Sequence, residues 1–371
     1  MNATALLLSL TLAATTNSKL GGYFARSDAA DSHKVVAACP RLAVFVLPDA
    51  WAINAIVSLA SNCPDTKVVV RVRSTKKFTV ADDPVQAATA YWNTINGDLA
   101  TVTGRGVWLE GPNEVENIPD WTGSAANAEW AAKFFAGFAD LANGAGYAPI
   151  VGAIGSGSPK LAGELAAGSE NLFKPIATAM KAKAYPWGWS YHAFSAELVH
   201  SSFAEADTTL RYRRIRTECA LQGIPLFITA AGQGAPGWLK AGTTPAAYLE
   251  WMDWLDARLE EDSDVQGAAL YQFGGTAGTE PDYALASVAD GLVALLASTA
   301  ARDAGIDAEP PDASSKPAAG RDASSGGGGH IPPGGGGVPA PERQGCSTVG
   351  AGSGTALAAL AAYLFRRRRR D

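Results

Sequence analysis

Residues 106–114 read Gly106-Val107-Trp108-Leu109-Glu110-Gly111-Pro112-Asn113-Glu114, a short apolar run that ends in two carboxylates four residues apart. Side chains alternate faces along a strand, so Glu110, Pro112 and Glu114 are expected to start out on one side. A carboxylate pair at the end of a buried strand is costly unless something needs it. The plain alternative is a strand that runs out into a polar loop. The sequence on either side decides between them.

Before this stretch, strands are expected at 20–24, 42–47 and 67–73, the last rich in β-branched residues. Helices are expected near 30–38, at 50–61, and from Asp83-Pro84, an N-cap followed by proline, to about 96. After it, residues 125–143 form an amphipathic helix, with Trp130, Phe134, Phe138 and Leu141 at helical spacing and Asn143-Gly144 as a C-cap signature. Strands at 148–154, 188–194, 224–229 and 266–273 then alternate with helices at 171–183, 208–221, 244–260 and 283–298. Apolar strands alternating with helices imply a parallel sheet covered on both faces. Eight such units between residues 18 and 304 predict an α/β fold of the (β/α)8 TIM-barrel type. A doubly wound open sheet is the alternative, because the first unit is weakly marked.

Gly232-Gln233-Gly234-Ala235-Pro236-Gly237 matches a dinucleotide-binding fingerprint after a strand. In such folds the glycines open straight into a helix, whereas here the next helix starts only at Thr244, so this reading is set aside. No cofactor is expected. Net charge is −6 and the barrel region has no basic patch, which argues against a nucleic-acid partner. None of the four cysteines stands in a C-x-x-C spacing, and none of the four histidines in H-E-x-x-H, so no metal site is expected. Cys39 and Cys63 precede neighbouring strands and are expected to form a disulfide in an exported chain, the alternative being two buried thiols. Cys219 is expected to be structural.

Both ends lie outside the barrel. Residues 1–17 contain a short apolar run followed by small residues, which predicts a secretory signal peptide, although its first residues carry no Lys or Arg. Residues 305–344 are rich in Gly, Pro, Ala and Ser and read as a linker. Residues 345–371 follow as a tail: Gly345-Cys346, then 19 uncharged residues (347–365), then five arginines. A helix of that length spans about 28 Å, enough to cross a membrane, and the arginines would hold its end in the cytoplasm. The tail resembles the myxobacterial C-terminal sorting signal, which implies processing at Cys346 and delivery to the cell surface; an ordinary membrane anchor is the alternative.

Reactive groups of (β/α)8 barrels sit at the C-terminal ends of the strands. Those ends here carry Asn113-Glu114 on the fourth strand, Tyr191-His192-Ala193-Phe194 on the sixth, Thr229-Ala230-Ala231-Gly232 on the seventh and Tyr271-Gln272-Phe273 on the eighth. On these residues the chain resembles the clan of retaining glycoside hydrolases built on (β/α)8 barrels. The resemblance implies Glu114 as general acid/base, with Asn113 on the sugar hydroxyl beside the reacting carbon and Glu110 at the position four residues earlier. It further implies a nucleophilic Glu on the seventh strand, where this chain reads Ile228-Thr229-Ala230-Ala231-Gly232, with Ala230 at that place. An alanine cannot attack an anomeric carbon or stabilise an oxocarbenium ion. Phe194 likewise stands where the clan often has Tyr. Of other carboxylates, Glu218 lies on a helix away from the mouth, Glu116 and Asp120 lie on the acid/base side, and Asp282 is the more reachable substitute.

Three readings follow. The first is a surface-associated, catalytically impaired barrel that binds carbohydrate through Asn113, Glu110, His192, Tyr191, Gln272 and Trp238. The second is an active glycoside hydrolase with a relocated second carboxylate or an inverting mechanism. The third is a structural or adhesive surface protein. Trp108, Trp189 and Trp238 are candidates to stack on sugar rings, with core packing the alternative for each and the favoured one for Trp108. The expected partners are a polysaccharide or oligosaccharide, and a membrane through the C-terminal helix.

Overall fold

The computed structural model describes residues 18–25, 29–165, 169–274 and 280–302. The expected signal peptide (1–17), linker (305–344) and tail (345–371, with Cys346) lie outside these residues. Among the described residues no helix is long and apolar enough to cross a membrane.

Strands β1 (Leu20–Phe24), β2 (Leu42–Leu47), β3 (Lys67–Val72), β4 (Trp108–Glu110), β5 (Ala148–Ile154), β6 (Gly188–Ser195), β7 (Leu226–Gln233) and β8 (Val265–Phe273) form a closed parallel barrel in sequence order. The β1–β8 ladder, with Leu20 opposite Ala268, closes it and excludes the open doubly wound sheet. Helices α1 (Ala30–Ala37), α2 (Ala50–Asn62), α3 (Pro84–Leu99), α4 (Ala125–Gly144), α5 (Lys174–Lys181), α6 (Tyr212–Glu218), α7 (Pro245–Glu260) and α8 (Ala289–Arg302) alternate with the strands.

Two apolar layers hold this arrangement. Tyr23, Leu42, Val44, Val46, Val69, Ile150, Phe227 and Ala269 fill the barrel interior. A larger layer, including Phe45, Val70, Phe134, Phe138, Trp189, Tyr191, Leu255 and Leu270, lies between strands and helices. Strands buried on both faces account for the continuous apolar runs in the sequence. Helix starts are fixed locally: Asp49, Asp83, Ser124 and Thr244 each accept a backbone N–H of the first turn, a cap contributing about 1 kcal/mol.

Several boundaries differ from expectation for identifiable reasons. Helix α4 does not end at Asn143-Gly144: Gly144 completes the last turn, and Gly146, at φ +86°, takes the left-handed position. Tyr147 N–H then bonds Ala142 C=O and Gly146 N–H bonds Asn143 C=O, a Schellman closure. Helices α5 and α6 are shorter than expected because their leading residues form turns. The first of these turns is held by Asn171, whose Oδ1 accepts Phe173 N–H. Helix α8 begins at 289 rather than 283. Strand β7 runs four residues further than expected, through Ala230, Ala231, Gly232 and Gln233. The glycines of 232–237 therefore belong to a strand end and loop, and no helix opens until Pro245.

Cys39 and Cys63 form a disulfide, with a Cα–Cα distance of 5.3 Å. Cys219 is a buried free thiol, and burial pushes its pKa up to about 12.

Candidate functional site

Strand β4 ends at Glu110, and the chain then turns, so Glu110 and Glu114 are not held on one face by strand alternation. Glu110 points into the barrel and is fully buried. Its Oε1 accepts hydrogen bonds from Ser190 Oγ on β6 (2.6 Å) and Thr229 Oγ1 on β7 (2.8 Å). Its Oε2 accepts Arg71 Nε from β3 (2.8 Å) and Arg71 Nη2. Burial alone would raise the Glu110 pKa, but Arg71, His192 and the two hydroxyls outweigh it and hold the carboxyl below its ordinary value. A buried carboxylate so fully engaged offers nothing to a ligand. The expected substrate-binding role of Glu110 is therefore corrected to that of an internal strut joining β3, β4, β6 and β7.

Glu114 sits above this strut on left-handed backbone, at φ +48°. Such a conformation in a non-glycine residue costs on the order of 1 kcal/mol, so its surroundings must fix it. Its Oε1 lies 2.7 Å from His192 Nδ1. His192 Nε2 faces Arg71 Nη2 at 3.5 Å. An arginine only donates and a carboxylate only accepts, which assigns the proton of the ring to Nδ1. Ser156 Oγ donates to His192 C=O (2.5 Å) and accepts Phe194 N–H (2.8 Å), pinning the β6 end to the loop after β5. Gly155 keeps that loop clear, since a Cβ there would approach the Glu114 carboxyl at 3.1 Å. The Glu114 side chain is 42% exposed, so it opens to the mouth. Burial works to raise its pKa, yet His192 and Arg71 lower it further than burial raises it. At neutral pH Glu114 is a carboxylate.

Ala230 is the Cα partner of His192 in the β6–β7 ladder and is 2% exposed. The β7–β8 register shifts between Ile228 and Ala231. Both of those residues belong to the layer beneath the helices, while Thr229 between them points inward to Glu110. Ala230, the ladder partner of His192, thus carries only a methyl group.

Two expected ligand contacts turn away from the mouth. Tyr191 is fully buried under the helices, its hydroxyl donating to Thr208 C=O, because alternation along β6 sends Ser190 and His192 inward and Tyr191 outward. Trp238 is fully buried, stacked on Tyr248 at 4.9 Å, with its indole N–H on Ala284 C=O. Trp189 is also core, packed against Phe173, and Trp108 packs on Phe227 inside the barrel. Gln272 is 2% exposed. Asn113 lies beside Glu114, and its buried Oδ1 has no hydrogen-bond partner. Glu218 is engaged by Ala162 N–H and Asn171 on the outer layer. Asp282 is a loop residue whose carbonyl accepts Leu239 N–H.

Residues missed in the sequence complete the mouth. Tyr271, at the end of β8, packs on Tyr23 (4.9 Å) and meets Phe194 (5.8 Å) and Tyr283 (5.6 Å) edge-on. Its hydroxyl donates to Glu280 Oε2. Arg71 lies 5.7 Å from the Tyr23 ring centroid, so one chain of contacts runs from Glu114 through His192, Arg71, Tyr23 and Tyr271 to Glu280. Among the described residues no three His, Cys, Asp or Glu side chains come together as a metal-binding group.

No protein-family profile and no curated protein matches the chain. Solved structures with a similar fold are glycoside hydrolases. The endo-β-1,4-glucanase Xac0029 from Xanthomonas axonopodis pv. citri is 15% identical over 77% of this chain and 99% of its own, with a TM-score of 0.45. The endo-β-1,4-mannanase from Thermotoga petrophila is 11% identical over 76% and 77%, with a TM-score of 0.44. A GH128 endo-β-1,3-glucanase from Pseudomonas viridiflava is 15% identical over 71% and 89%, with a TM-score of 0.40. The similarity is one of fold.

Proposed function

We propose that this is a glycoside-hydrolase-like barrel that binds carbohydrate at its mouth and has lost retaining hydrolysis. The observation that carries this reading is the pairing of an ionised, His192-bound Glu114 with a methyl group at Ala230. A retaining mechanism needs one carboxylic acid to protonate the leaving oxygen and one carboxylate to attack the anomeric carbon. Here the attacking group is missing. Its loss also disarms the acid, because a neighbouring negative charge is what keeps a proton on such a carboxyl. What remains is an open carboxylate, an imidazole, the Asn113 amide and a set of aromatic rings, which suit the hydroxyls and apolar faces of a sugar.

The same proposal places the protein outside the cytoplasm, held at the cell surface by its tail. The apolar run of residues 5–14, the tail of residues 345–371 and a disulfide between Cys39 and Cys63 favour this, since disulfides persist in oxidising compartments.

Calorimetry of the wild-type chain against β-linked oligosaccharides, with parallel hydrolysis assays on aryl glycosides and polysaccharides, tests the proposal. Binding without turnover is expected. Wild-type turnover that disappears in Glu114→Gln would show a working enzyme and overturn the impaired reading. Absence of any saccharide binding would leave only a structural or adhesive role.

A further inference from the structure

Two carboxylates stand at the mouth, Glu114 beside His192 and Glu280 beside Tyr271. Glu114 is ionised, and the buried Asn113 Oδ1 has no partner. Burial and the Glu280 carboxylate hold the Tyr271 phenol well above its usual pKa, so it remains a donor committed to Glu280. The buried cation of the site, Arg71, is paired with Glu110. Arg73, whose charge reaches Tyr271, is exposed at the end of β3 and is therefore screened by solvent and salt.

The second feature is aromatic. Phe194, Tyr271 and Tyr283 meet as three nearly perpendicular rings, with interplanar angles of 84°, 77° and 74° and centroid separations of 5.8, 5.6 and 6.5 Å. His192, the partner of Glu114, adjoins the same corner at 6.1 Å from Phe194. Glu280 is fixed to the corner through the Tyr271 hydroxyl. Aromatic rings meeting beside a carboxylate favour an organic cation, whose charge is attracted both to ring faces and to the anion.

We infer that the saccharide taken at this mouth carries free amino groups, an ammonium being received between Glu280 and the Phe194–Tyr271–Tyr283 corner while Glu114 accepts from the adjoining sugar. This rests on the carbohydrate-binding reading above and sharpens its ligand class. A neutral sugar hydroxyl both donates and accepts, whereas an ammonium only donates. It therefore matches the two carboxylates, Glu114 and Glu280, and supplies the charge they lack.

The test compares probes of one linkage by calorimetry on the full chain at mildly acidic pH: a β-1,4-linked glucosamine oligomer, its N-acetylated counterpart and a cello-oligosaccharide of equal length. The amine-bearing oligomer is expected to bind about tenfold tighter than either neutral one, the size of one partly exposed charge contact with its cation–π component. Glu280→Gln should remove most of that preference. Tyr271→Phe, which keeps the ring but releases Glu280, should weaken it. Asp65→Asn, on an exposed turn before β3 at the opposite end of the barrel, should leave it unchanged. Equal binding of all three probes, or a preference untouched by Glu280→Gln, would overturn the inference and leave carbohydrate binding intact. Failure of every probe would overturn the carbohydrate-binding reading itself.

Discussion

Glu114 Oε1 lies 2.7 Å from Nδ1 of His192, and the other nitrogen of that ring faces Arg71 at 3.5 Å. The imidazole therefore transmits the positive end of a buried ion pair to the one carboxylate that opens on the mouth. Removing the ring in His192→Ala should raise the Glu114 pKa, because the Nδ1–H hydrogen bond is lost while part of the burial remains. A carboxyl lowered in the folded state stabilises above the unfolded value of about 4.3 and loses that contribution as pH falls through its folded value. His192→Ala should lose this part of the acid sensitivity. Side-chain carboxyl NMR titration of both proteins checks the shift; an unchanged Glu114 midpoint would contradict it.

The Arg71–Glu110 pair makes a stronger demand on stability, because both side chains lie inside the barrel. Glu110→Leu leaves a guanidinium there without its counter-charge, and Arg71→Met leaves a carboxylate without its own. Either single change should cost about 3–5 kcal/mol. The double substitution Arg71→Met with Glu110→Leu should cost clearly less than the sum, since neither charge is then stranded. Denaturant unfolding of the four proteins measures the coupling. Additive costs would mean that the strut is not one unit.

The barrel was legible in the sequence because each buried strand between helices is a continuous apolar run, as at residues 42–47, and because Asp83-Pro84 and Thr244-Pro245 announce their helices. The places of Asn113 and Glu114 in the turn after β4, and of His192 and Ala230 in the last residues of β6 and β7, follow from the strand pattern. The strut was less so. Arg71 stands inside the β-branched run of β3, and a lone arginine between Val70 and Val72 is the signal of a buried partner. Tyr191 and Trp238 were misplaced for a different reason. Nearness to a strand end does not say which face a side chain takes, and that depends on register and on the loop that covers it. Glu280 had no sequence signal, since its place at the mouth comes from the Tyr271 hydroxyl across nine residues.

The corrected places of Trp238 and Tyr191 have their own consequence. Trp238 stacks in a file with Tyr248 and Trp251, which are 5.9 Å apart. Trp238→Ala should cost about 3–5 kcal/mol, the range for deleting a buried aromatic. Tyr191→Phe should cost about 1 kcal/mol for the lost hydrogen bond to Thr208. Neither should change saccharide affinity once the folded fraction is matched. A selective loss of binding in Trp238→Ala, with unfolding unchanged, would restore it as a ligand contact.

The disulfide closes a sequence separation of 24 residues between the segments that lead into β2 and β3. Cross-linking a loop of that size restricts the unfolded chain by about 3 kcal/mol. Replacing both cysteines by serine should therefore lower the melting temperature by about 6 to 10 °C for a domain of this size. Calorimetric scans of the two proteins under oxidising conditions measure it. The mouth lies at the other end of the strands, so saccharide binding should persist in the variant.

Ala230→Glu tests whether the missing carboxylate explains the state of Glu114. A side chain at residue 230 would project beside His192, and an ionised one would place a second negative charge near Glu114. Like charges disfavour joint ionisation, so the Glu114 pKa should rise by about one unit or more. Its acid limb of stability should move up in pH with it. The new side chain also enters a position only 2% exposed, at a cost of about 1–3 kcal/mol from overpacking. Arg71 offsets part of the charge, but its guanidinium already serves Glu110, so the two carboxylates compete for one cation. Combining Ala230→Glu with Glu110→Gln frees Arg71 for the new residue and should recover part of the lost stability. Titration of Glu114 in the single and double variants distinguishes the terms. A Glu114 midpoint unmoved by Ala230→Glu would mean that His192 alone sets its charge and that residue 230 does not face it.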